Sequence, residues 1–279
     1  MITLQNLHTH CTWCDGKDSV REMIEHAIGQ GFDSIGFSAH SPMSYSSCGM
    51  DPEKVDPYVT EVRAMAEEYR DRIRIFCGLE QDLFSGGDLS QFDYVIGSVH
   101  YFLIDGEYVG FDRNLQTVKG VIDTYFGGDG MRYAKAYYET LPMLCDIGEV
   151  NIVGHLDLIT KHADSACLFD TESAEYRRYA SEAIEALVQK IPLFEINTGA
   201  ISRGYRKTPY PDPYLLRQIR ARGGEILISS DCHDGHFLSR GFLDAAELAL
   251  SCGFTHTQVL TESGFASVAL DDLKRRLVK

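Results

Sequence analysis

Eight side chains able to bind metal each close a short apolar run. They are His8 and His10 in NLHTH, His40 in IGFSAH, Glu80 in IFCGLE, His100 in YVIGSVH, His155 in NIVGHLD, and Asp231 and His233 in ILISSDCH. Asp15, in the loop after the first run, makes a ninth. Imidazoles suit zinc, copper, iron or nickel, and added carboxylates widen the choice to manganese and magnesium. A carboxylate can bridge two ions, and Glu80 is the obvious bridge. A single histidine ending a strand is ordinarily a hydrogen-bonded rim or core residue. Five histidine-bearing strand ends of one polarity, interleaved with acids, are not explained that way. They point to a polynuclear metal centre and to hydrolysis. His26 and His256 are read as structural, while His162 and His236, close behind strand ends, stay open between the two readings.

The elements that must position these residues alternate along the chain. Apolar β-type runs lie at 2–8, 34–39, 73–80, 94–99, 151–156, 193–198 and 225–231, with helical patterns at 18–30, 56–70, 130–147, 171–190, 213–222 and 241–252. In the first helix Val20, Met23, Ile24, Ala27 and Ile28 recur at helical spacing before Gly31. Thr171 is the expected cap of the helix at 171–190. Strand side chains alternate faces, so His8 and His10 should point the same way, as should Asp231 and His233, with Thr9 and Cys232 pointing elsewhere.

Strands separated mostly by helices predict a parallel sheet. An open sheet binds its ligand at one switch point, whereas a barrel gathers every strand end at one mouth. The expectation is therefore α/β: a distorted seven-stranded (β/α)7 TIM-like barrel, with residues 1–279 as a single domain. The distortion should fall where only SGGDLSQFD separates the third and fourth strands. Residues 101–129 and 199–212 read as non-strand segments leaving the mouth, and so as substrate loops.

The net charge is −15, with 26 Lys and Arg against 41 Asp and Glu. No basic footprint for nucleic acid is visible, which favours a small-molecule substrate. The beginning of the chain lacks the basic and apolar regions of a signal peptide, and no run is long enough to span a membrane. The expectation is a cytoplasmic protein with no membrane partner and with its eight cysteines reduced. Cys11 and Cys14 form a lone C-x-x-C, read as local packing beside the site.

The HxH at 8–10, Ala-His40, Gly-Leu-Glu80, Gly-Ser-Val-His100, Gly-His155-Leu-Asp157 and Ser-Asp231-Cys-His233 resemble the motif series of the PHP (polymerase and histidinol phosphatase) superfamily. The resemblance runs from residue 6 to 235. Asp15 after HxH, the SVHYF…GFD segment and E-x-N-T at 195–198 make it most similar to the monofunctional histidinol-phosphate phosphatase branch. It implies three divalent metal ions, zinc, manganese or iron. The first would take His8, His10, Glu80 and Asp231. The second would share Glu80 and add His100 and His155. The third would take Asp15, His40 and His233. Some branches carry a histidine where this chain has Asp15.

The implied activity is hydrolysis of a small phosphomonoester, L-histidinol phosphate, in histidine biosynthesis. A water bridging two ions would have its pKa lowered to about 7 and attack phosphorus as hydroxide. Catalytic roles fall to Glu80 as bridge, Asp231 as orienter or proton acceptor, and His233 as one source of the leaving group's proton. Lys161 and Arg203 are the expected phosphate-binding residues, and Arg206 is expected to matter much less if it faces solvent. Asp112, with Asp105 and Glu107, could receive the substrate's amine. The rival readings are a PHP phosphoesterase acting on nucleotides or oligonucleotide ends, a non-catalytic metal-binding protein, and an amidohydrolase on a similar barrel.

Overall fold

The computed structural model describes residues 2–278. Strands β1 (Gln5–Asn6), β2 (Ser34–Phe37), β3 (Arg74–Asp82) and β4 (Tyr94–Ser98) are followed by a hairpin of β5 (Tyr101–Ile104) and β6 (Glu107–Gly110). Then come β7 (Ile152–Val153), β8 (Leu193–Asn197) and β9 (Glu225–Ser229), and a second hairpin of β10 (His256–Thr261) and β11 (Gly264–Ala269). Seven of these form one sheet in the order β1-β2-β3-β4-β7-β8-β9, parallel throughout. All seven runs expected from the sequence are in it. No helix joins β3 to β4, as the short spacer implied.

The seam between β1 and β9 is closed differently at its two ends. At the mouth, His10 N donates to Cys232 O (2.8 Å) and Cys232 N to His8 O (3.1 Å), across a parallel Thr9–Cys232 bridge. At the foot, the Gln5 side-chain amide donates to Leu260 O (2.9 Å) and accepts from Leu260 N (2.7 Å). It behaves there as a peptide group would, and ties β10 into the gap.

The outer layer comprises α1 (Val20–Gly29), α2 (Val55–Glu68), α3 (Leu115–Phe126), α4 (Gly130–Thr140), α5 (Ala174–Val188), the single turn α6 (Gly199–Ser202), α7 (Pro213–Ala221), α8 (Phe242–Ser251) and α9 (Leu270–Leu277). Ser19 and Glu22 cap α1 reciprocally. Ser173, not the expected Thr171, caps α5 by accepting from Tyr176 N. No helix among the described residues is long and apolar enough to cross a membrane.

Two expectations need correction. Residues 101–129 are not a bare loop: they hold the β5–β6 hairpin and α3. The signal was present, since Asp105 (φ 51°) and Gly106 (φ 84°) form the positive-φ pair of a tight hairpin turn between alternating strands. The second hairpin and α9, beyond residue 255, had no counterpart in the sequence reading.

Inside the barrel, Leu7, Phe76, Tyr94, Ile96, Ile152, Leu193 and Leu227 pack together, with Leu260 closing the foot. Tyr94 fills the centre and donates its hydroxyl to Leu7 O. A Cβ at Gly36 or Gly78 would overlap its phenol ring. This apolar plug is the floor on which the polar mouth stands. Gly78→Ala should cost about 1–3 kcal/mol by overpacking, measured as a lowered urea midpoint with unchanged slope.

Candidate metal centre

His8 and His10 follow β1, His40 follows β2, Glu80 lies on the inner face of β3, His100 follows β4 and His155 follows β7. Asp231 and His233 follow β9, and Asp15 lies in the loop before α1. The expected alternation holds at β1: Thr9 turns its hydroxyl away to Gly36 O (2.8 Å). It fails after β9. That strand ends at Ser229, and Asp231 adopts φ 47°, a left-handed conformation uncommon outside glycine. A turn, not strand pleating, swings Asp231 and His233 together.

All nine residues converge. Glu80 Oε2 lies 3.3 Å from His8 Nε2 and 3.5 Å from His10 Nε2. Asp231 Oδ1 lies 3.3 Å from His10 Nε2 and 3.9 Å from His8 Nε2. The other oxygen, Glu80 Oε1, lies 3.0 Å from His155 Nε2 and 3.5 Å from His100 Nε2. Asp15 Oδ1 is 3.2 Å from His233 Nε2 and 3.7 Å from His40 Nε2. For zinc bonds of about 2.0–2.2 Å, the ligand atoms of a tetrahedral site stand about 3.3–3.6 Å apart. His40 departs from a simple partition, since its Nδ1 also lies 2.8 Å from Glu80 Oε2.

These atoms are also short of partners. His8 Nε2, His10 Nε2, His40 Nδ1 and Glu80 Oε2 are buried and make no hydrogen bond. Buried polar atoms are nearly always paired, and four such atoms aimed at one another suit cations. The electrostatics agree. Burial would raise the Glu80 pKa, but His8, His40 and His100 hold it well below the carboxylate range. Burial likewise opposes ionisation of Asp231, and Arg203 and His8 outweigh it. Burial, with His233 and His40 nearby, lowers His10 to about 3, leaving a neutral imidazole. His100 goes the other way: burial lowers it, but Glu80 and Asp82 bring it up to about 9. Ligation through Nε2 there must displace a proton.

Two acids have orienting roles that the sequence did not assign them. Glu195, completely buried on β8, takes His8 Nδ1 at 2.6 Å and accepts from His155 N (2.8 Å), Asn197 Nδ2 (2.9 Å) and Ser229 Oγ. Asp82 takes His100 Nδ1 at 3.2 Å and the Tyr45 hydroxyl at 2.7 Å. Both were findable. Glu195 interrupts the apolar run LFEIN, and Asp82 shares a strand face with Glu80.

A cavity of about 830 Å³ opens over the centre and includes Asp112, Lys161 and Arg203 in its wall. Lys161 Nζ donates to Asp112 O (2.7 Å) and Oδ1 (2.8 Å) and sits 4.8 Å from the Tyr205 ring centroid. Arg203 donates to Asp231 Oδ2 (2.8 Å) and Asp231 O (3.0 Å). Asp105 and Glu107 lie at the hairpin turn, outside the cavity wall. His162 packs edge-on to Tyr205, and His236 lies tilted against His26, so neither joins the centre. His256 is exposed.

The PHP domain family model matches residues 6–199. The chain belongs to the PHP domain family. A relative described as a "Probable histidinol-phosphatase", from Schizosaccharomyces pombe, is 28% identical over 89% of this chain and 86% of its own length. The histidinol-phosphatase of Bacillus subtilis is 24% identical over 81% of this chain and 92% of its own. A crystal structure of histidinol phosphate phosphatase from Lactococcus lactis, complexed with zinc, L-histidinol and phosphate, superposes with a TM-score of 0.73 at 22% identity, covering 95% of this chain and 100% of that one. It shares the fold. Arg203, Asp231 and His233 of this PHP chain lie beyond the matched residues, and the barrel returns them to the mouth.

Arg206 corrects the sequence reading. It is buried rather than solvent-facing, 3.7 Å from the buried Asp157 Oδ2, and donates to Thr160 Oγ1 and Thr208 Oγ1. Its loop turns back under the mouth. Arg206→Ala should cost about 3–5 kcal/mol, because it strands Asp157 without its cation; urea unfolding measures the loss.

Proposed function

We infer that this chain is a histidinol-phosphatase: a metal-dependent phosphomonoesterase that cleaves L-histidinol phosphate to L-histidinol and phosphate. The convergence of unpartnered histidine and carboxylate atoms at the floor of one cavity carries the hydrolytic reading. The curated relatives, matched over most of their length, supply the substrate. We propose the whole of residues 1–279 as one PHP-type barrel domain.

Three divalent ions, zinc, manganese or iron, fit the donor set. His8, His10, Glu80 and Asp231 would hold the first. Glu80, His100 and His155 would hold the second, and Asp15, His40 and His233 the third. Bound ions supply Lewis acidity and a water acidic enough to react near neutral pH.

The chain's own groups would do the rest. Arg203 presents a planar fork suited to two phosphoryl oxygens, and its grip on Asp231 keeps that carboxylate ionised and fixed. Lys161 adds a second positive charge to the same wall. Asp112, now engaged by Lys161, would be the acid nearest to hand for the substrate's ammonium. His233 faces the cavity and, as a ligand of the third ion, would line the path of the departing alkoxide oxygen, which would take its proton from water in the cavity. Glu195 and Asp82 fix the rotation of His8 and His100, so that each Nε2 keeps facing Glu80.

Two measurements test this. In a panel of histidinol phosphate, a nucleoside monophosphate, an aryl phosphate and a short oligonucleotide, phosphate release from histidinol phosphate should exceed that from the aryl ester by at least about a hundredfold in kcat/KM, since remote contacts can be used to lower the barrier. A nucleotide or oligonucleotide leading the panel would replace the substrate reading.

The second measurement is elemental analysis. Wild type should carry about three ions, Asp15→Ala about two and Glu80→Ala fewer than two, because a bridging carboxylate serves more than one ion. A single tightly held ion in wild type would sink the three-ion assignment.

A further inference from the structure

The lone C-x-x-C of the sequence has one member with a polar task. Cys14 Sγ lies 3.4 Å from His10 Nδ1. The Asp15 carboxylate is 3.9 Å from the same nitrogen, beyond hydrogen-bond reach. His10 is fully buried, and its other nitrogen, Nε2, is unpartnered and aimed between Glu80 Oε2 and Asp231 Oδ1.

The ring's neighbours do not by themselves fix which way round it sits. The His233 ring stacks on it at 4.1 Å and 21°, and the His40 ring lies 4.4 Å away. Stacking is nearly indifferent to a half-turn about Cβ–Cγ. A half-turn would exchange each nitrogen for a carbon and point a C–H at the two carboxylates. Glu80 and Asp231 favour a nitrogen on their side, and a partner at Nδ1 fixes the same orientation from the other. His8 has Glu195 in that role and His100 has Asp82; His10 has the sulfur of Cys14.

The loop is built to deliver that sulfur. Cys14 N and Gly16 N both donate to Cys11 O, at 3.0 and 3.1 Å. A Cβ at Gly16 would strike the His10 carbonyl, so the loop can fold this tightly against His10 only with glycine there. Asp15 travels on the same loop.

We propose that Cys14 is a positioning residue for the metal centre: its sulfur accepts the Nδ1 proton of His10 and so fixes Nε2, lone pair outward, between Glu80 and Asp231. The inference rests on the reading of His10 as a metal ligand. A group that orients a metal-binding histidine in this way typically sets metal affinity by ten- to a hundredfold when removed. Thiols are weaker acceptors than carboxylates, so the effect should sit at the lower end of that range.

The test is zinc binding by full-length protein stripped of metal, in competition with a chromophoric chelator, on wild type, Cys14→Ser, Cys14→Ala and Cys14→Val. The hydroxyl of Cys14→Ser can still accept, and its affinity should stay within about threefold of wild type. Cys14→Ala and Cys14→Val, one smaller and one larger but neither an acceptor, should each weaken the tightest zinc by about tenfold or more. Far-UV circular dichroism checks folding. If the alanine variant does not fold, the serine–valine pair still decides.

Wild-type affinity in both Cys14→Ala and Cys14→Val would overturn the proposal. So would a serine variant as weak as alanine, which would make the sulfur a packing group only. Wild type with no affinity for zinc would overturn the ligand reading of His10 and this proposal with it. Zinc bound normally with no release of phosphate from histidinol phosphate would overturn the substrate reading and leave Cys14 in its role.

Discussion

Glu80 puts a carboxylate on the barrel axis, 1% exposed, with nitrogens of five histidines within 3.5 Å of its two oxygens. Ser98 Oγ adds a hydrogen bond at 2.7 Å. An isolated charge so deeply buried would be intolerable, so everything around it is arranged to answer it. The excess of acid extends outward. Lys161 faces Asp112 and Arg203 faces Asp231. Among the described residues, Asp15, Glu80, Asp82 and Glu195 have no lysine or arginine within ion-pair distance. Imidazoles alone cannot serve both as neutral ligands and as counter-charges. Divalent cations resolve that conflict, and the centre's chemistry follows from the same charge imbalance.

The floor beneath explains why the imbalance is sustained. Tyr94, Leu7 and their neighbours seal the barrel from below, leaving the cavity as the approach to the centre. Tyr94 fits because Gly36 and Gly78 withhold their side chains. A dry apolar base strengthens every electrostatic contact above it.

The residues that converge on the cavity floor were legible because each type is conspicuous where it stands: a histidine closing an apolar run is a local signal. The orienting residues were not, because their meaning lies across the barrel. Glu195 is ordinary until His8, 187 residues away, is seen to share its proton. Arg206 and Arg203 look alike in sequence, three residues apart in one loop. A single helical turn, α6, sends one to Asp231 and the other down to Asp157. The Asp-Gly turn of the first hairpin was written in the sequence but lay in a stretch read for loops. The second hairpin carries no candidate ligand: its one histidine, His256, reads as structural, and no strand end of the barrel lies in it.

The barrel seam has a consequence of its own. The backbone bonds that close the mouth involve His8, His10 and Cys232, and Cys232 lies between Asp231 and His233. Ligands from the first strand and the last therefore flank the same two hydrogen bonds. An ion held by both sets is a clasp across some 220 residues of intervening chain. It bridges one of the longest spans closed in the fold, and closing a long span costs entropy. Metal affinity then adds directly to the cohesion of the closed ring, by about 2.7 kcal/mol at a hundredfold excess over Kd. The last barrel strand, with the helix and hairpin behind it, would then be tethered to the first through the same ion.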